Sequence, residues 1–395
     1  MKKCNQRRSI CLLIPISVWF MILILLPVTC CASAAGSSDG QPAAGKSYED
    51  ELLDDIDTKQ MQEIMDELLE DSSFSFLDAM KELLKGETPF SMEWFGEIVK
   101  ESLFSEFEQG RSVMGQVLLL AFAGAVLTSF VHIFDNEKMG DICFYLVYLL
   151  VFVLLLKAFG TLSEGLHTTL EGIVSFMQAL APSYYIAITA AAGVTSATVF
   201  YQIILIVIFC VEYLLVYMMI PAIHIYVLLE FINLLTKEEM LSRISELLKS
   251  AILWAQKSML TVIVGMQIIQ SLVAPAVDSL KRSVLGKTVS VIPGVGNAVN
   301  AVTEIIFGSA VLIRNCFGVT ALIVLIVCSI APVIRLGFNA IIYKFIGAVI
   351  QPICDSRLVG CFHAMGEGCG LLLKVLFTTQ VMFLLTIVIL ANSLQ

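Results

Sequence analysis

The chain has 395 residues, 58% of them hydrophobic and 15% charged, with a mean hydropathy of +0.87 and a formal net charge of −10. Soluble domains carry about 25% charged residues, so a water-soluble fold is excluded. The charge is also divided: residues 1–35 hold four bases and no acids, residues 36–111 hold twenty acids against six bases, and the remainder holds fourteen of each.

Residues 1–34 read as a secretion signal. Lys2, Lys3, Arg7 and Arg8 precede an apolar run over 10–28 and then Ala32-Ser33-Ala34, small residues of the kind that signal peptidase accepts, so cleavage is expected after Ala34. The run is near spanning length, and an uncleaved anchor is the alternative. Either reading starts the next region outside the cytoplasm.

Residues 35–112 form an acidic, extracytoplasmic helical region. A Gly/Ser/Pro/Ala linker reaches Lys46. Leu52, Leu53, Ile56, Met61, Ile64, Met65, Leu68 and Leu69 then recur at helical spacing, as do Trp94, Phe95, Ile98, Val99, Leu103, Phe104 and Phe107. Two or more amphipathic helices follow, whose apolar faces have three candidate partners: each other, the membrane surface or another protein. The acidic faces disfavour anionic lipid and nucleic acid.

Residues 113–395 are a multi-pass transmembrane domain, so the fold class is all-α. Apolar stretches fall at 114–134, 142–159, 173–193, 199–229, 251–273, 289–313, 317–334, 336–350 and 371–391. A helix needs about 20 residues to cross a roughly 30 Å hydrocarbon core, and about seven spans are expected. Lys138 and the cluster Lys281, Arg282 and Lys287 place two loops in the cytoplasm by the positive-inside rule, in agreement with an external N-terminus.

Prolines suggest an internal repeat over 165–275 and 276–391. Pro182 and Pro221 are 39 positions apart, as are Pro293 and Pro332; Ile220-Pro221-Ala222-Ile223 matches Ala331-Pro332-Val333-Ile334, and Ser242-Arg243-Ile244 matches Ser356-Arg357-Leu358. Three crossings per half would invert the second copy, the arrangement by which transporters place a pathway near the bilayer midplane. Coincidence in spacing is the alternative.

The stretch Val291-Ile292-Pro293-Gly294-Val295-Gly296-Asn297 reads as a hinge or pore-lining turn, or else as a surface loop, because proline removes a donor and glycine loosens the backbone. Ionisable residues inside apolar runs, Lys157, Glu212, Glu230, Glu304, Arg314, Arg335 and Lys344, need partners or water. Glu212 is the deepest and with Arg314 the first choice for a polar pathway beside Pro182 and Pro293; Lys157, Arg335 and Lys344 lie near span ends, where they can snorkel.

No catalytic, cofactor or metal site emerges. Gly286-Lys287-Thr288 imitates the end of a phosphate-binding loop, but Lys281 stands where the first glycine is needed. His132, His167, His224 and His363 are scattered. Cys354, Cys361 and Cys369 lie near His363 without a CxxC pair, so small apolar cysteines are favoured over zinc or a disulfide.

Phe90-Ser91-Met92-Glu93-Trp94, Lys287-Thr288-Val289 through Pro293-Gly294-Val295-Gly296, Ser309-Ala310-Val311-Leu312-Ile313-Arg314-Asn315, Tyr343-Lys344 and Ile350-Gln351-Pro352 together resemble the stage III sporulation protein AE family of endospore-forming bacteria. The resemblance implies a permease-like, non-enzymatic subunit made in the mother cell and placed in the cell membrane facing the forespore. It also implies partners encoded in the same operon: a secretion-type ATPase, small membrane proteins and ring-forming proteins. A non-conducting scaffold and a general small-solute transporter are the other readings.

Overall fold

The computed structural model describes residues 59–68, 75–85, 96–108, 137–192, 194–235, 241–289, 296–352 and 354–392, with five single positions between 111 and 126. Every secondary-structure element among them is helical. Three short helices, α1 (Lys59–Leu68), α2 (Phe76–Leu84) and α3 (96–108), precede five long rods. The rods are α4 (Glu137–Ala192); α5 (Val194–Cys210), which continues through a π-helical stretch (Val211–Met219) into α6 (Ile220–Leu235); α7 (Ser242–Val289); α8 (Gly296–Ile350); and α9 (Ser356–Asn392).

Five sections of these rods are long and apolar enough to cross a bilayer: Tyr145–Thr189, Ala197–Leu235, Ser242–Gly265, Gly308–Ile350 and Ser356–Val388. The stretches expected as separate spans at 142–159 and 173–193 lie on one uninterrupted helix, and so do 317–334 and 336–350. The hydropathy dip in α4 is not a reversal of the chain. Lys157, Glu164, His167 and Glu171 recur every three, four or seven positions, the spacing of one helix face. Thr161, Thr168 and Thr169 return their hydroxyls to the carbonyls of Lys157, Glu164 and Gly165. At 56 residues, α4 is about 84 Å long, well beyond one bilayer crossing. The stretch at 114–134 falls mostly outside the described residues, as do residues 1–58 with Ala34.

Close approaches define the topology. Tyr184 stacks on Phe317 while Gly165 meets Arg335, so α4 and α8 run antiparallel. Leu234 faces Gly360 and Val227 faces Gly368, while Gly347 faces Phe362 and Gly366 faces Lys344; α6 and α8 are therefore both antiparallel to α9 and parallel to each other. The helices holding Pro221 and Pro332 thus point the same way, and Ser242 and Ser356 both open returning helices. If the two halves are copies, these helices relate them without inversion.

Two turns at one end are held locally. Asn233 Oδ1 accepts from the Leu241 N–H at 3.1 Å and the Ser245 hydroxyl donates to Glu230, closing α6 onto α7. Asp355 caps α9 by accepting from the Arg357 N–H at 2.9 Å.

Of the three partners open to the acidic region's apolar faces, α1 and α2 take a fourth: the bundle itself. Ser75 caps α2, and the Phe76 N–H donates to Gln62 Oε1 at 2.9 Å, tying the two helices together. Met61, Met65, Phe76 and Met80 are fully buried. Leu68 packs where Gly172 leaves room: a Cβ at Gly172 would come within 2.3 Å of Leu68 Cδ2. Glu106 of α3 pairs with Arg335 at 3.1 Å, so Arg335 has a carboxylate partner, and Phe107 meets Phe338 edge-on.

Candidate functional site

Glu367 on α9 gathers polar and charged groups from four helices, its own included. Its Oε2 accepts from Lys249 Nζ of α7 at 2.7 Å and from the Tyr226 hydroxyl of α6 at 2.8 Å. Lys249 also lies 5.7 Å from the centroid of the Tyr226 ring. Lys344 of α8 and Lys374, two turns along α9, both lie within electrostatic range of Glu367 and of Lys249. Glu367 and Lys249 are 18% and 24% exposed, so this is neither a sealed pair nor a surface one.

Glycine makes the convergence possible. A Cβ at Gly366 would meet Lys344 Cγ at 2.8 Å, so the lysine stem lies across bare backbone; a Cβ at Gly368 would meet Val227 Cγ2 at 2.5 Å and Phe159 Cε2 at 2.9 Å. The small face of α9 lets α4, α6 and α8 close around it, as small residues do between membrane helices. The Lys344 stem, expected to snorkel, lies against Gly366 beside the cluster.

Ionic groups are rare in apolar spans and mark polar paths or partner contacts. Here Lys249 pairs directly with Glu367, Lys344 and Lys374 lie within electrostatic range of the same carboxylate, and Glu230 is near Tyr226. Such an arrangement can hold or pass an anionic or strongly hydrated group, or lock four helices together.

Of the ionisable residues singled out from sequence, Lys344 belongs to this cluster and Glu230 lies near it, whereas the candidate pathway residues have other neighbours. Arg314 is fully buried, and its Nε and Nη2 donate to Asn315 Oδ1 at 3.3 and 3.0 Å, beside Tyr184. Glu212 lies in the first turn of the π-helical stretch and accepts from Gln178 Nε2 of α4 at 3.5 Å. Pro182 sits inside α4 without ending it. Gly296 is the first residue of α8, whereas Pro293 and Gly294 lie outside the described residues. Arg314 of α8 and Glu212 of the π-helical stretch thus each face α4, at Tyr184 and Gln178 respectively.

Sequence reasoning missed Glu367, Lys249, Tyr226 and Lys374. The signal was thin: Glu367 and Lys374 share a helix face at i, i+7, and glycines crowd 366–370. Cys361 and Cys369 are buried and Cys354 is half-buried, and none of the three is in a disulfide. Cys361 Sγ lies 3.2 Å from the Tyr148 hydroxyl, which itself donates to the Phe231 carbonyl at 2.6 Å.

No solved structure matches this chain. Among curated proteins it is similar to Stage III sporulation protein AE of Bacillus subtilis (strain 168), 22% identical over 319 residues that make up 80% of each chain. The family signature described as Stage III sporulation protein AE matches residues 74–393, which take in α2 to α9 and so the whole Glu367 cluster. The chain, a multi-pass helical membrane protein of sporulating cells, belongs to the stage III sporulation protein AE family.

Proposed function

We propose that this protein is the permease-like subunit of a conduit between the mother cell and the forespore, placed in the mother-cell membrane that faces the forespore. It acts there with a secretion-type ATPase, small membrane proteins and ring-forming proteins. The observation that supports this reading is the cluster of Lys249, Lys344, Lys374 and Tyr226 around Glu367, ionic groups kept within an otherwise apolar helix bundle. Retaining charge in such surroundings costs several kcal/mol per ion, a cost that a purely packing role does not require. The protein performs no covalent chemistry; it binds and positions.

The test uses cysteines introduced singly at Lys249, Lys344 and Lys374, probed with a membrane-impermeant thiol reagent against the unsubstituted chain as background. Reaction from the aqueous side, with spore yield falling in Glu367→Gln, is the expected result. Protection at all three positions, together with normal spore yield in Glu367→Gln, overturns the reading in favour of a non-conducting scaffold.

A further inference from the structure

A separate feature lies between α4 and α6 and has no part in the reading above. A groove of about 560 Å³ runs between α4 and the junction of the π-helical stretch with α6. It is lined by Gly160, Ser163, Glu164 and His167 on one side and by Ile220, Pro221, His224 and Ile225 on the other. Its volume falls within the range of small-ligand sites, and its make-up, apolar walls with a few polar groups, is theirs too.

The residues around the groove give it its chemistry. Ser163 is 1% exposed, and its hydroxyl has no hydrogen-bond partner, although neighbouring Thr161, Thr168 and Thr169 all bond back to their own helix. A buried hydroxyl left unmatched costs roughly 1–3 kcal/mol, and a ligand on the groove floor removes that cost. Glu164 stands exposed at the rim with no ion pair among the described residues. Farther along the same flank, Glu171 and Glu212 add two carboxylates, whose neighbours are His167 at 3.3 Å, the Tyr217 hydroxyl and Gln178. Lys157, two turns before Glu164, is the nearest lysine in sequence. A Cβ built at Gly160 would meet nothing within 4 Å, so the floor is open.

The chemistry of the groove selects the ligand. Residues 157–171 form a polar section of α4 between two apolar ones, a surface suited to a molecule that carries both a polar head and an apolar chain. The acidic flank repels anionic headgroups. A primary ammonium supplies the N–H donors that Glu164 accepts, whereas a quaternary ammonium has none. A docked protein helix would need a longer face than the two turns over 160–167 provide.

We propose that this groove holds one phospholipid with a primary ammonium headgroup. The ammonium pairs with Glu164, the Ser163 hydroxyl donates to an ester or phosphate oxygen, and an acyl chain lies along Ile220, Pro221 and Ile225.

The test exposes the purified full chain to phospholipids of matched acyl chains with ethanolamine, choline or glycerol headgroups, and reads retained lipid by native mass spectrometry. The ethanolamine lipid is expected to be retained over the glycerol lipid by roughly fivefold, the size of one charge contact at a membrane surface. Glu164→Gln, at an exposed position, is expected to abolish the preference while the protein remains folded, and Ser163→Ala to lower retention of all three lipids. Equal retention of the three headgroups, or a preference that survives Glu164→Gln, overturns the proposal. So does equal competition by soluble phosphoethanolamine, which would make this a site for a free amine, or a photo-crosslinker at Ile225 that captures a polypeptide and no lipid.

Discussion

Phe76 of α2 stands edge-on to Phe317 of α8, with ring centroids 5.2 Å apart, and Phe317 in turn stacks on Tyr184 of α4 at 5.6 Å. A side chain from the acidic region therefore closes a seam between two helices of the membrane domain. Phe176 of α4 also meets Phe76 edge-on, at 6.5 Å. The acidic region is thus built onto the bundle through an aromatic wedge.

Removing that wedge should release the short helices. Phe76→Ala is expected to cost about 3–5 kcal/mol, the usual price of deleting a fully buried phenyl ring. The measurement is protease cleavage between residues 59 and 85 in intact membranes. Phe317→Ala should expose the same sites, and the double variant should cost less than the two single effects added together, since they remove one shared contact.

Around Glu367, breaking the pair should be worse than replacing it. Glu367→Ala strands Lys249 and Tyr226 and is expected to destabilise by about 3–5 kcal/mol. The double variant Lys249→Met with Glu367→Gln should recover part of that stability, because the cation that Glu367 pairs with directly is removed as well, leaving Lys344 and Lys374 as the remaining charges of the cluster. Thermal unfolding in detergent reads the stability, and spore yield reads whether the charge itself is needed; recovery of the first without the second separates a conduit from a brace.

Two glycines two residues apart on α9 should respond in opposite senses. Gly368→Ala forces a methyl group within 2.5 Å of Val227 and 2.9 Å of Phe159, with an expected loss of about 1–3 kcal/mol. Gly370→Ala meets nothing within 4 Å and is expected to be neutral or to gain up to about 1 kcal/mol from helix propensity. The two melting temperatures, compared with the unsubstituted chain, decide it.

Docking of α3 should depend on pH through Glu106. Burial raises its pKa above the ordinary carboxylate range, opposed by Arg335 and by a hydrogen bond with Asn339. Because the docked form holds the proton more tightly than the free form, the contribution of Glu106 is fully present below the ordinary carboxylate pKa. It is lost as pH rises through the raised one. Release of α3, followed by a probe at Phe104, should increase over that interval, and Glu106→Gln should flatten the profile.

Lipid as the solvent, an all-α fold and an acidic segment of amphipathic helices were all legible in composition and periodicity, because burial in hydrocarbon demands long apolar runs and a helix face repeats every three to four residues. Met61 and Met65, for instance, were placed on one apolar face by their spacing alone, though not the bundle that buries them. The limits of the rods were harder to read. Polar residues at 157–171 resemble a loop in a hydropathy profile, yet they are a helix face, and polarity by itself does not distinguish the two.

The pairing of charges belonged to the tertiary structure. Lys249 and Glu367 are 118 residues apart and Tyr226 and Glu367 are 141 apart, and no local pattern couples positions at that distance. Only the packing of α9 against α6, α7 and α8, allowed by bare glycine backbone, brings them within hydrogen-bond reach. Arg314 and Glu212 were visible as costly charges in apolar runs, but the interface each one faces depends on helix rotation, which neighbouring helices set. The chain's own chemistry dictated that it would live in a membrane and which residues would be expensive there; the fold alone decided which of those residues would meet.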